Sequence, residues 1–232
     1  MEWKRALNAY NYPFDLKKYT HSAARPGFFA RSSISGNVAD TMQFEAHFRE
    51  NKRQVYAWAE VVYWKLYSMP MVRNGTTERI ESYLSCRGTE SILQACEKYI
   101  ASPSLAGLKA IMTTLGIKSR SIAVSATFPA LLCPEKIPMV DTRVARWVGS
   151  NMLDHTEADP MAPKLVRPRY LDKQANVLTL ADYPFVKSWY EWCQYKAQIL
   201  SAVTGIDWRP RDVEMAVFVA ANDMSIVLES TI

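Results

Sequence analysis

A helical apolar rhythm over residues 40–68 constrains this chain more than any other feature. Phe44, Phe48, Val55, Trp58, Val62 and Leu66 recur at steps of three, four or seven, and Val61 and Tyr63 thicken the stripe. That is the period of one helix face and not the alternation of a strand. Glycine is scarce, 8 in 232 residues, which argues against a turn-rich β-sandwich. The expected fold class is all-α.

The remaining chain divides at its breakers. Residues 3–10 read as a short helix. Residues 11–40 hold Pro13, Pro26, Gly27, Gly36 and many serines, and read as an irregular extension. A break near Asn51 would divide the 40–68 stripe into two helices, and Pro70 with Asn74-Gly75 ends it. Helices are expected at 77–85, 89–101 and 104–114, with Thr76 or Thr77, Thr89 and Ser104 as caps. A turn over Leu115-Gly116-Ile117-Lys118-Ser119-Arg120 opens another helix that runs to about Leu132. Further helices are expected from Asp141 to about Leu153, from Pro184 to Val203 and from Pro210 to Ala221. Residues 154–183, with Pro160, Pro163 and Pro168, read as a surface excursion. The one strand candidate is Ser225–Leu228. The organisation is thus an extension over 1–40, a helical domain over 41–221 and a tail over 222–232.

Composition excludes several classes. Hydrophobic residues at 49% and charged residues at 22% exclude wholesale disorder. No apolar run reaches membrane-spanning length, so no membrane partner is expected. Met1-Glu2-Trp3-Lys4-Arg5 lacks an apolar signal core, and a cytoplasmic protein is expected. Cys86, Cys96, Cys133 and Cys193 form no CxxC and have no histidine at ligand spacing. A zinc or iron–sulfur site is therefore not expected, nor any other cofactor or metal, and the thiols read as reduced and mostly buried. His21, His47 and His155 read as solvated or structural. The net charge of +5 is unevenly placed: residues 116–150 hold five basic and two acidic groups, residues 176–232 four and seven. The first of these is the segment that would meet a polyanion.

That basic segment also holds the chemistry. A Gly116 turn sits at a helix start beside Lys118, Ser119 and Arg120, and helix N-termini bind phosphate through free N–H groups. An apolar helix over Ile122–Leu132 can anchor it. Asp141 lies between Val140 and Thr142 at the start of a helix carrying Arg143 and Arg146, where a carboxylate can be held in one orientation.

These residues resemble a family. Gly116-Ile117-Lys118-Ser119-Arg120-Ser121-Ile122-Ala123, followed by Pro138-Met139-Val140-Asp141-Thr142-Arg143-Val144-Ala145-Arg146, is similar to the hairpin and catalytic-aspartate block of the helix-hairpin-helix DNA glycosylases. These are the relatives of endonuclease III and the adenine glycosylases. Val140, Asp141, Thr142, Val144 and Arg146 match the aspartate string residue for residue. Gly116 matches the first hairpin glycine, while Lys118 stands at the second. Upstream, Trp58-Ala59-Glu60-Val61-Val62-Tyr63-Trp64-Lys65 resembles the adenine-glycosylase helix that carries a tryptophan and an acidic residue. Trp64 and Lys65 stand where its glutamines would be.

The resemblance implies a two-lobed helical bundle without the iron–sulfur cluster, acting as a monomer on duplex DNA. It implies a base-excision repair hydrolase that breaks the N-glycosidic bond of a damaged or mismatched base. Asp141 would stabilise the oxocarbenium-like sugar and orient water, with Glu60 as a second acidic candidate. Gly116, Lys118, Ser119, Arg120 and Arg143 would hold the DNA backbone. Trp58, Tyr63, Trp64 and Trp147 are candidates for the pocket that receives the turned-out base. Arg120 stands where bifunctional members place a nucleophilic lysine, and arginine stays protonated, so a monofunctional enzyme is expected. Plainer readings stand beside these. Asp141 would be a helix cap, Lys118-Ser119-Arg120 a solvated turn, Glu60 a buried hydrogen-bonded acid and the aromatic stripe core. The alternative function is a non-catalytic DNA-binding or structural protein that keeps the fold.

Overall fold

The computed structural model describes residues 2–12, 37–117, 121–157, 159–172 and 177–229. Among them the chain is entirely helical, with ten α-helices, two short 3-10 turns and no strand. The helices are α1 (Glu2–Asn8), α2 (Val38–Glu50), α3 (Val55–Lys65), α4 (Pro70–Arg87) and α5 (Glu90–Ala101). They continue as α6 (Leu105–Thr114), α7 (Ala123–Leu132), α8 (Thr142–Glu157), α9 (Tyr183–Thr204) and α10 (Pro210–Ala220).

Two helices organise the rest. The eight residues Val124–Leu131 of α7 are all buried, as expected of a helix that is apolar all round. It packs against α2, α3, α5 and α6. Helix α10 packs against α1, α8 and α9 and buries ten of its eleven residues. Tryptophans fill much of the interior: Trp58 meets Phe48 edge-on and Phe128 at a tilt, and Trp192 lies against Trp3, Trp147 and Trp189. A buried ionic network ties the two groups together. Glu45 on α2 accepts from Arg209 Nη1 at 2.8 Å and faces Arg211 Nε at 3.5 Å, and Arg211 also pairs with Glu214.

The break near Asn51 separates α2 from α3, as the stripe suggested. One expected boundary moves. Pro70 and Gly75 do not end a helix; both lie within α4, which begins at Pro70. Proline suits the first helical position, where its missing N–H has no partner to lose. Thr77 therefore caps nothing; its hydroxyl lies inside the helix and donates to Arg73 O. Thr89 precedes α5 but spends its hydroxyl on Arg53 O, so its side chain does not cap. Ser104 does cap α6, accepting from Gly107 N. Helix α7 runs from Ala123 to Leu132, within one residue of the apolar helix expected over Ile122–Leu132. Ser225–Leu228 is coil: Ile226 and Leu228 bury as single side chains, and Glu229 O accepts from Trp3 Nε1. Residues 13–36, within the expected irregular extension, lie outside the described residues, while 2–12 form α1 and a buried Tyr10 and Tyr12.

Candidate functional site

Asp141 ends an extended connection and begins α8. Trp189 Nε1 donates to Met139 O at 2.9 Å, and Val140 is fully buried, so the backbone entering the site is anchored on α9 and the core. One carboxylate oxygen, Oδ1, accepts from the N–H groups of both Arg143 and Val144 at 2.9 Å. Asp141 is thus the N-cap of α8. Its other oxygen, Oδ2, turns the opposite way and stands 3.7 Å from Lys65 Nζ. The capping and the chemical readings use different atoms of one side chain.

Lys65 is the last residue of α3, where a cation complements the negative end of the helix dipole. Its backbone carbonyl accepts from Tyr12 Oη at 3.0 Å. The side chains of Lys65 and Asp141 are only 10% and 17% exposed. What exposure they have is to a cleft of about 350 Å³ that they line together. Burial pushes the Lys65 ammonium below the usual lysine range. Arg211 and Arg143 push it the same way, and Asp141 opposes them without prevailing. Burial and the nearby Asp141 charge raise the Tyr12 phenol.

The cleft forms where α3, α4, α7, α8 and α10 converge. Tyr12 and Phe218 supply its aromatic surface, Met69, Val72, Ile117 and Val124 its apolar walls. Among the described residues, Lys65, Arg79 and Arg143 supply cationic groups against the single carboxylate of Asp141. Arg143 lies over the Phe218 ring at 4.8 Å, a cation–π contact that holds its guanidinium against the aromatic part of the lining. The cleft is at the small end of the usual range for ligand sites, roughly 300–1,000 Å³, and suits one flat group with an anionic neighbour.

Gly116 reaches this region for a structural reason. Its N–H bonds to Thr113 O and that of Ile117 to Met112 O, closing α6 in a Schellman motif with Gly116 at φ +65°. A β-carbon there would also stand 2.9 Å from the Tyr83 ring. Ile117 and Ser121, on either side of the turn, line the cleft. Lys118, Ser119 and Arg120 lie outside the described residues.

The other expected site residues are placed elsewhere. Glu60 is 1% exposed and bonds to His47 at 2.8 Å, away from the cleft. Trp58 and Trp64 belong to the core, the latter against Phe44 and Tyr12. Tyr63 is buried beneath the Arg73 guanidinium. Trp147 packs on Trp192. The structure therefore brings Asp141 and Arg143 to one cleft and adds Lys65, Arg79, Tyr12 and Phe218, which the sequence reading did not select. One signal for Lys65 existed: it is the sole cation on a largely apolar helix whose other charged residue is Glu60, and it stands at the last position.

Of the described cysteines, Cys96 and Cys193 are buried, Cys133 is half-buried and Cys86 is exposed, all as free thiols. Among the described residues no group of three or more His, Cys, Asp or Glu is arranged to hold a metal ion. No helix among them is long and apolar enough to cross a membrane. No protein-family model, curated protein or solved structure matches this chain.

Proposed function

We propose that the chain is a helix-hairpin-helix DNA glycosylase that removes a damaged or mismatched base from duplex DNA by hydrolysis. The observation that carries this reading is the division of labour within Asp141. Two backbone N–H groups fix Oδ1. Oδ2 is left facing a cleft that also holds two aromatic rings and three cationic side chains. A carboxylate fixed in this way is preorganised to stabilise positive charge developing on a sugar, and its free oxygen can orient the attacking water. The turned-out base would lie against Tyr12 or Phe218. Arg143 and Arg79 would meet the flanking phosphates at the cleft mouth.

The test is base release from a panel of duplexes carrying damaged or mismatched bases, with wild type compared with Asp141→Asn. Asparagine is as good a cap as aspartate, so the variant keeps the start of α8 and loses only the charge. Release should fall by about 10²–10³, the usual effect of deleting one preorganised electrostatic group. Equal activity in the variant, or no substrate in the panel, defeats the reading.

A second reading is favoured by two observations. The aromatic residues expected to receive a base lie in the core, and Lys118 replaces a hairpin glycine. A non-catalytic DNA-binding protein that keeps this fold would bind duplex with an affinity that falls as salt rises. It would release no base, and Asp141→Asn would leave its binding unchanged.

A further inference from the structure

Lys65 has no role in hydrolysis by water, yet its placement is not that of a structural lysine. Its side chain is 10% exposed, and the exposed part lines the cleft. Its amine faces the Asp141 carboxylate at 3.7 Å, longer than a hydrogen bond. Arg209, by contrast, reaches Glu45 at 2.8 Å and Asp212 at 2.6 Å. Among the described residues Lys65 is the one amine lining the cleft, and an amine differs from the two arginines there in being able to lose its proton and attack carbon. Burial and the neighbouring Arg143 and Arg211 favour that neutral form over Asp141's opposition.

We propose that Lys65 is a nucleophile that captures an aldehyde carbon in the cleft as an imine, the aldehyde being the ring-opened abasic sugar left after base loss. The identity of that sugar rests on the glycosylase reading. The capture rests on the Lys65, Asp141 and cleft geometry alone. The neutral Nζ adds its lone pair to the aldehyde carbon, and the carbonyl oxygen takes up a proton to give a carbinolamine. The C–O bond then breaks, and the oxygen departs as one water together with the two protons originally on the amine. Oδ2 of Asp141 stands where it can accept and return a proton between these steps. Arg79 and Arg143 would hold the adjoining phosphate. The amine comes from the end of α3, not from the hairpin, where this chain has Arg120.

The experiment is reductive trapping. Wild-type protein is incubated with a duplex oligonucleotide carrying one preformed abasic site, and sodium borohydride is added. Hydride reduces the imine carbon to a stable secondary amine, so a covalent protein–DNA band on a denaturing gel reports the imine. The expected result is a band in wild type whose attachment maps to Lys65 by peptide mass. It should fall to background in Lys65→Met and in Lys65→Arg, which keeps the charge. The wild-type mapping needs no variant and stands even if either variant folds poorly. A parallel arm uses 2-deoxyribose 5-phosphate as the aldehyde and reads the mass adduct, so capture is tested without DNA binding. Attachment to another amine, or no adduct in either arm, overturns the proposal. Trapping without base release from the lesion panel would sink the glycosylase reading and leave the lysine's role intact. Base release with no adduct would do the reverse.

Discussion

Two buried acid–base arrangements in this protein contrast sharply. In the Glu45, Arg209, Arg211 and Glu214 network, every charge lies within ion-pair distance of an opposite one, and no member lines the cleft. At the other site Lys65 and Asp141 stand apart at 3.7 Å, and both face open volume. Burial raises the Glu45 carboxyl in the first against the pull of Arg209 and Arg211. Burial lowers the Lys65 ammonium in the second. Charges closed on one another hold helices in place. Charges kept slightly apart beside a cavity leave an atom on each free for a ligand.

The largest expected effect tests the structural half of this contrast. Glu45→Ala removes the acceptor that Arg209 and Arg211 share between α2 and α10, leaving Arg209 only Asp212 and Arg211 only Glu214. Loss of one partner in such a network costs about 3–5 kcal/mol. Urea unfolding should show it as a large fall in midpoint with little specific effect on any cleft reaction per folded molecule. A loss below about 1 kcal/mol, the level of an exposed pair, would erase the distinction between the two sites.

Next in size is Gly116→Ala. The residue sits at φ +65°, and a β-carbon would meet the Tyr83 ring at 2.9 Å. The left-handed conformation alone costs a non-glycine residue roughly 1–2 kcal/mol. Thermal unfolding should report at least that loss. A neutral result would mean that the end of α6 rearranges freely, and the cleft wall at Ile117 with it.

Asp141 separates the two roles that the contrast assigns to one side chain. Asp141→Ala removes both the cap and the charge and should cost about 1 kcal/mol of stability. Asp141→Asn should cost less, because its amide oxygen can still accept from Arg143 N and Val144 N. Both should lose base release equally. If release instead tracks stability across the pair, Asp141 acts only as a cap.

How much of this was legible in the residues depended on the range of the interaction. The helices were readable because apolar period and capping are local. Ser104 and the Asn51 break behaved as their neighbours suggested. Pro70 misled because a proline can follow the end of one helix or begin another, and here the turn at 66–68 ends α3 before it and leaves Pro70 to begin α4. Asp141 and Arg143 were readable because they sit in one short string. Lys65 was not, since its meaning comes from facing Asp141 across the cleft from a different helix. Glu60 shows the converse: an acid on an aromatic helix looked chemical until its partner, His47 on α2, was in view. The aromatic residues of α3 carried a strong period, and a strong period is what core burial itself produces.

The smallest effect is also the sharpest test of what makes Lys65 unlike Arg211. Its ammonium loses a proton more easily in the folded chain than in the unfolded one, chiefly through burial, with Arg211 and Arg143 adding to it and Asp141 opposing. Between the lowered folded value and the ordinary lysine value, the unfolded state therefore binds more protons. Wild-type stability should climb with pH across that window, because the penalty for burying the charge is relieved as the amine becomes neutral. Lys65→Met carries no such penalty and should not share the climb. Urea midpoints of the two proteins, followed from neutral pH upward, should show the methionine variant's advantage greatest at neutral pH and shrinking as pH rises. Parallel curves would mean that Lys65 stays as charged and as firmly paired as Arg211, and the two sites would then differ in position only.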